Sequence, residues 1–279
     1  MKQSTICMPA MQAMEFSVTK VMLDAASALN QNDSHIHSVC EVYINLSGDV
    51  NFAVENRLYA VSRGTVIITM PYEYHHCIYR SDAPHEHFWI TFPAQREQDF
   101  LKLFFDREKG INNCIDLDET ALSEVCSILD ALLEHEGDGL DYRLRILRFF
   151  RILSNAAGRE PMEERSSLPK DVADALAYMD AHLQEDMAVE RLAAAGGVSV
   201  NTLERHFRDS LHTTPVAFLR RKRLYTSIMY LKSGCSVTEA ALKSGFQDGS
   251  NYIQLFRKQF GITPGKYKKK LGADAVGGS

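Results

Sequence analysis

The chain has 279 residues, with 31 Lys and Arg against 36 Asp and Glu, six Cys and a hydrophobic content of 45%. That length suits two domains and can bury a core without disulfide staples. No apolar run reaches the roughly 18 residues of a membrane span, MKQSTICMPAMQAMEF lacks the apolar stretch of a signal peptide, and no two Cys stand at C-x-x-C spacing. A cytoplasmic protein is expected, without membrane contact, zinc knuckle or disulfide framework.

The net charge of −5 hides a split. Residues 1–167 carry 15 basic and 25 acidic side chains, and residues 168–279 carry 16 and 11. Within 201–270 the count is 14 to 4. The acidic front and basic back give the back the polyanion-facing role.

The front opens with strand patterns. Val42, Ile44 and Leu46 alternate with Tyr43 and Asn45 in 41–47, and Ser47-Gly48-Asp49 is a turn signal. Residues 50–55, 65–69 and 86–92 follow as further strands, the last with Phe88, Ile90 and Phe92 on one face. Short strands punctuated by Gly, Asn and Pro suggest a small β-barrel or sandwich. The period then changes to three and four, and helices are predicted over 95–107, 118–135 and 140–156. Leu122, Val125, Ile128, Leu129 and Leu132 make one stripe, and Leu144, Leu147, Phe150 and Leu153 belong to another. Polar residues 158–168 read as a linker. From Pro169 the pattern is helical, and 272–279 reads as a flexible Gly-rich tail.

The back repeats itself. Ala193-x3-Gly197-Val198 returns as Ala241-x3-Gly245-Phe246 after 48 residues, and FRDSLHTTP (207–215) returns as FRKQFGITP (256–264) after 49. Each copy reads as helix, tight turn, helix, then Thr-Pro opening another helix. A small residue lets two helices approach, Gly197 and Gly245 suit a sharp turn, and Leu203/Phe207 and Tyr252/Phe256 are i,i+4 core pairs. Ser199 and Asp248 are the expected N-caps. The helix over 215–232 would hold the two motifs about 34 Å apart, one turn of DNA.

The stretch ALKSGFQDGSNYIQLFRKQFGITPGKY (241–267), with ERLAAAGGVSVNTLERHFRDSLHTTPVAFLRRKRL (190–224) before it, resembles the arabinose-regulator (AraC/XylS) family of bacterial transcription regulators. The resemblance implies an all-α domain with two helix-turn-helix motifs joined by a linker helix. It puts Asn201, Thr202, Glu204, Arg205 and Arg208 outward in the first motif and Gly249, Ser250, Gln254 and Arg257 in the second. Arg205 is the expected base reader, since Arg pairs bidentately with guanine. Gly249 has no reach, which leaves Gln254 as the main reader of the second motif. Arg220, Arg221, Lys243, Lys258, Lys268, Lys269 and Lys270 are candidate phosphate partners, which position without selecting sequence.

In the front, His35-x-His37-x3-Glu41-x6-Gly48 and the later Gly64, Pro71 and His76 resemble the cupin barrel, the usual sensor of that family. His35, His37, Glu41, Tyr43 and Asn45 share one strand parity. They suit a pocket for a polar small molecule, a Zn²⁺, Fe²⁺ or Mn²⁺ site with His76, or a set of hydrogen-bonded core residues. His85 and His87 share the parity of Trp89, a candidate ligand contact; the barrel mouth is one place for them, and a surface strand is the expected one. His75 and His76 point opposite ways. The Cys residues are expected to be free rather than redox sensors.

The resulting expectation is an α+β multidomain chain. Residues 1–157 form a cupin-like effector-binding and dimerisation domain, 158–168 a linker, 169–271 the double helix-turn-helix domain and 272–279 a tail. It is a ligand-responsive regulator, not an enzyme, working as a homodimer on double-stranded promoter DNA, with RNA polymerase as partner if it activates. No cofactor is expected, a divalent metal being the alternative, and sugars lead the effector classes. A metal-binding cupin, sensor or enzyme, fused to a DNA-binding module is the alternative function, beside a thiol switch and an architectural DNA binder.

Overall fold

The computed structural model describes residues 2–8, 14–23, 37, 39–81, 83–93, 99–135, 137–157 and 168–276. The chain divides into two compact units, Met1–Ser167 and Leu168–Ser279. His35 and the linker residues 158–167 lie outside the described residues, as do 277–279 and the side chain of Cys7.

The first unit holds β1 (Lys2–Met8), β2 (Met14–Leu23), β3 (Val39–Ser47), β4 (Val50–Val54), β5 (Arg57–Val61), β6 (Thr65–Thr69), β7 (His75–Tyr79), β8 (His85–Pro93) and β9 (Cys114–Asp116). They form a six-stranded sheet, β1-β2-β8-β3-β6-β9, and a three-stranded sheet, β5-β4-β7. Among the described residues three helices accompany them: α1 (Lys102–Phe105), α2 (Glu119–Leu133) and α3 (Gly139–Ala157). Of the helix predicted over 95–107, only α1 and a 3₁₀ turn at Asp99–Leu101 appear among the described residues.

Alternation along β3 separates two cores. Val42, Ile44 and Leu46 join Val66, Ile68, Phe88, Ile90 and Phe92 and pack against Leu122, Val125, Leu129 and Leu132 of α2 and Phe149, Phe150 and Leu153 of α3. Tyr43 and Ile67, on the opposite face, pack against Val50, Phe52, Val54, Tyr59, Val61 and Tyr79 of the smaller sheet and its neighbours. Asp118 caps α2 by accepting from the Ala121 amide. Leu144 and Leu147 turn away from the core, at 57% and 38% exposure, while Ile146, Phe149, Phe150 and Leu153 fill it.

One buried ion pair ties the β6–β7 turn to the segment before β9. Arg107 Nη1 and Nη2 donate to Glu73 Oε1 and Oε2 at 2.9 and 2.7 Å. The amides of Gly110 and Met70 donate to the same two oxygens. Glu73 is fully buried, and Arg107 is 5% exposed. Burial alone would raise the Glu73 carboxyl, but Arg107 and the two amides outweigh it and hold it below the usual range.

The second unit is helical: α4 (Lys170–Ala181), α5 (Val189–Ala195), α6 (Val200–Leu211), α7 (Pro215–Lys232), α8 (Val237–Lys243), α9 (Gly249–Phe260) and α10 (Pro264–Val276). Ser199, Thr214 and Asp248 cap α6, α7 and α9, and Ser236 forms a capping box with Glu239 at α8. α10 runs into the stretch read as a tail and ends at Val276. Among the described residues no helix is long and apolar enough to cross a membrane.

Removing the Arg107 guanidinium leaves a buried carboxylate unpaired. Arg107→Ala should cost about 3–5 kcal/mol, read by urea unfolding of the full chain. Glu73 has a lowered folded pKa, so its contribution is complete above its ordinary value of 4.5 and is lost as pH falls through the folded value. The wild-type unfolding free energy should carry that acid limb and Arg107→Ala should not.

Candidate functional site

The space between the two sheets of the first unit collects polar side chains. Glu41 on β3 is 2% exposed and faces two imidazoles. His37 Nε2 lies 2.6 Å from Oε2 and His75 Nε2 lies 3.2 Å from Oε1. The Nδ1 atoms of the same rings sit 3.0 Å from the Val39 carbonyl and 2.8 Å from the Glu73 carbonyl. A neutral imidazole has one N–H. With Nδ1 on a carbonyl, the Nε2 atom of each ring meets the shared carboxylate, where a proton or a cation holds the two together. Ligand atoms of the three residues lie within 4.8 Å of one another.

Further along β3, the Tyr43 hydroxyl donates to Asn45 Oδ1 at 2.9 Å. Register places Tyr43 beside Trp89 and Asn45 beside His87 on β8. His87 is fully buried, and neither ring nitrogen has a hydrogen-bond partner in the protein; the same holds for Asn45 Nδ2 and Thr69 Oγ1. Burial, reinforced by His85, pushes the His87 imidazole down to about 4, so it is neutral near pH 7. Aromatic walls surround it: Tyr43 stands 4.8 Å from His87 and 5.0 Å from Phe52, and Trp89 is 5.8 Å from His87.

Of the residues singled out from sequence, His37, Glu41, Tyr43 and Trp89 line this interior. His76 does not join them. Adjacent strand residues face opposite sides, so β7 turns His75 to Glu41 and leaves His76 3.5 Å from the Tyr74 hydroxyl. His85 and His87 are not on a surface strand. Both are buried, because β8 runs inside the sheet between β2 and β3. Burial also pushes the Cys40 and Cys77 thiols up to about 12, which keeps them protonated and slow to oxidise. His75, His87 and Thr69 were missed because their facing follows from strand register rather than from a motif.

In the second unit, α5–α6 and α8–α9 are helix pairs joined by turns at Gly197 (φ +68) and Gly245 (φ +91). Leu203, Phe207, Tyr252 and Phe256 are fully buried. That packing leaves Asn201, Arg205 and Arg208 exposed on α6 and Thr202 and Glu204 half-buried. Glu204 Oε2 accepts from Arg208 Nη2 at 2.9 Å, and Thr202 Oγ1 pairs with Ser199 Oγ at 2.9 Å. His206, also on α6, reaches Asp171 of α4 at 2.7 Å. On α9, Ser250, Asn251, Ile253, Gln254 and Arg257 are exposed; Asn251 and Ile253 were not singled out from sequence. Arg220 is exposed on α7, whereas Arg221 donates to Thr213 Oγ1 at 2.6 Å. Lys268 Nζ donates to the Gly234 and Cys235 carbonyls at 3.0 and 2.9 Å, which anchors α10 to the α7–α8 turn.

Residues 22–149 match the AraC-like ligand binding domain, and residues 192–270 match a helix-turn-helix domain. Over 254 residues the chain is 25% identical to the HTH-type transcriptional activator RhaS of Salmonella paratyphi A, covering 87% of this chain and 88% of that protein. RhaS of Salmonella dublin is 29% identical over 164 residues, 57% of this chain and 58% of that one. Among solved structures, ToxT from Vibrio cholerae O395 aligns with a TM-score of 0.39 and 13% identity over 92% of this chain and 98% of its own. The DNA-binding domain of AdpA, crystallised with a target DNA, aligns at 0.36 with 31% identity over 39% and 96%.

The two turn glycines should respond differently to a side chain. At Gly197 a Cβ meets nothing within 4 Å, so Gly197→Ala should cost only the positive-φ strain, about 1–2 kcal/mol. At Gly245 a Cβ would collide with the Leu183 carbonyl oxygen and the Arg223 guanidinium. Gly245→Ala should therefore be clearly the more destabilising in chemical unfolding, and equal costs would contradict this turn geometry.

Proposed function

This chain belongs to the arabinose-regulator (AraC/XylS) family of transcription regulators, and from that premise we propose how its two units divide the work of a ligand-responsive, DNA-binding regulator. The first unit closes as a cupin-like barrel around a polar organic effector, with carbohydrates the leading class. The second unit enters two successive major-groove segments of promoter DNA with α6 and α9, held by α7. Asn201, Thr202, Glu204, Arg205 and Arg208 face the duplex from α6, and Ser250, Gln254 and Arg257 from α9. Arg220 serves the phosphates; Lys268, tied to two carbonyls, serves them from a fixed position. This work on chromosomal DNA is done in the cytoplasm, and the chain is not an enzyme. The two RhaS relatives are named as transcriptional activators, which supports activation through RNA polymerase.

The observation that carries the sensor reading is the buried, neutral His87 beside Asn45: neither ring nitrogen of the one nor Nδ2 of the other has a hydrogen-bond partner in the protein. Such groups cost free energy unless something pairs them. A hydroxyl-rich ligand supplies both donors and acceptors, and Tyr43, Phe52 and Trp89 offer aromatic faces for its carbon skeleton.

A second reading rests on the His37–Glu41–His75 group. Two imidazoles held at Nδ1 by carbonyls, with Nε2 turned to one carboxylate, have the orientation that metal-bound histidines take. These residues fit a divalent cation such as Zn²⁺. There it would fix the pocket floor or a ligand oxygen.

A thermal-shift panel of sugars, sugar acids and divalent metals separates the two. An effector at about 100 times its dissociation constant should stabilise by about 2.7 kcal/mol. The sensor reading expects an organic hit that survives chelation and is lost in His87→Phe. A shift produced by Zn²⁺ alone, reversed by chelator and lost in His75→Ala, would support the second reading instead.

The dimer is proposed to form along α3, where Leu140, Leu144 and Leu147 stand 61%, 57% and 38% exposed at helical spacing. Leu144→Asp should halve the mass found by light scattering while leaving the far-UV circular dichroism spectrum unchanged, and should make the thermal midpoint independent of protein concentration. An unchanged mass would place the dimer contact elsewhere.

A further inference from the structure

We infer that the two DNA-facing helices read different base chemistry: α6 a G·C-containing segment, and α9 an A·T-containing one in which Ile253 packs on a thymine methyl and Gln254 pairs with adenine. This rests on the regulator reading above.

The internal repeat aligns the two helices residue by residue. An offset of 49 residues brings Leu203 onto Tyr252, Phe207 onto Phe256 and Arg208 onto Arg257. Both helices have 12 residues, a side-chain N-cap and a left-handed C-cap, His212 in one and Gly261 in the other. The scaffold is the same, so outward positions correspond one to one. Glu204 becomes Ile253, and Arg205 becomes Gln254.

Each exchange has a counterpart in the major groove. Guanine offers two acceptors that suit Arg, and cytosine an amino donor that suits Glu. Adenine offers a donor and an acceptor that suit Gln, and thymine a methyl group that suits an apolar side chain. Ile253 is 41% exposed while its neighbours Tyr252 and Phe256 fill the core, so core packing does not account for it. A β-branched residue is also a weaker helix former than the Glu it replaces. Gly249 adds a third point: open space surrounds its missing Cβ, which lets the start of α9 come close to the bases and suits short readers.

The test selects duplexes from a random library with the full chain, then repeats the selection with the Ile253→Glu, Gln254→Arg double variant, which copies the first motif. The half-site whose bases change is the one read by α9. It should carry A·T pairs with wild type and move to G·C pairs with the variant. Replacing its thymine by deoxyuridine removes one methyl group and should weaken wild type about fourfold. Ile253→Ala should bind thymine and deoxyuridine duplexes alike. Gln254→Ala should lose about 5- to 150-fold of its preference for adenine. A changing half-site that already holds G·C pairs with wild type would overturn the inference, as would deoxyuridine binding as well as thymine. Failure of wild type to select any sequence would overturn the regulator reading, and this inference with it.

Discussion

The period of two along β3 is the constraint on which the first unit depends. This strand lies between β6 and β8, so both its edges are paired, and each of its faces packs against a core. One face, Val42, Ile44 and Leu46, is wholly apolar and seats α2 and α3. The other carries Glu41, Tyr43 and Asn45 and meets the smaller sheet. A slip of one residue would bury the carboxylate under the helices and aim the aliphatic groups at the polar interior. The fold thereby sets the site: register with β8 puts His87 beside Asn45, and register of β7 with β4 puts His75 opposite Val54.

The second unit shows the complementary economy. Its framework is repeated: caps, a turn glycine, two buried large side chains on each outer helix, then Thr-Pro. What varies lies outward, where packing imposes no choice. The ion pair of Glu204 with Arg208 has no equivalent at Ile253 and Arg257, because the acidic partner is replaced by an apolar one. A duplicated scaffold can thus hold two different readers at little cost in stability.

Local periodicity made much of this legible. The strands at 41–47, 50–55, 65–69 and 86–92 correspond to β3, β4, β6 and β8, and 118–135 and 140–156 to α2 and α3. β2 was not read, although Phe16 and Val18 are fully buried, because Lys20 and Thr19 interrupt its apolar pattern. Lys20 instead reaches Glu86 and Asp130 at the sheet surface. The facing of His75 over His76 depends on the register of β7 with β4, a non-local pairing. The burial of His85 and His87 depends on where β8 sits in the sheet order, which alternation alone does not reveal. Charge made Lys268 a candidate phosphate contact; its anchoring was not legible, because the two carbonyls it meets come from a turn more than 30 residues earlier.

On the reading proposed above, the same strands join ligand to helices within the first unit. Pairing His87 and Asn45 with a ligand lowers the free energy of whichever β3–β8 geometry the ligand fits. The reverse face of those two strands is the floor on which α2 and α3 pack, through Ile44, Phe88 and Ile90. Close-packed interiors transmit small displacements rather than absorb them. The exposed leucines of α3 ride on that packing, because Phe149, Phe150 and Leu153 of the same helix are embedded in it. A ligand that selects one strand geometry therefore also selects one presentation of the α3 face, and the differential contact needed for a population shift resides in the unpartnered groups of His87 and Asn45.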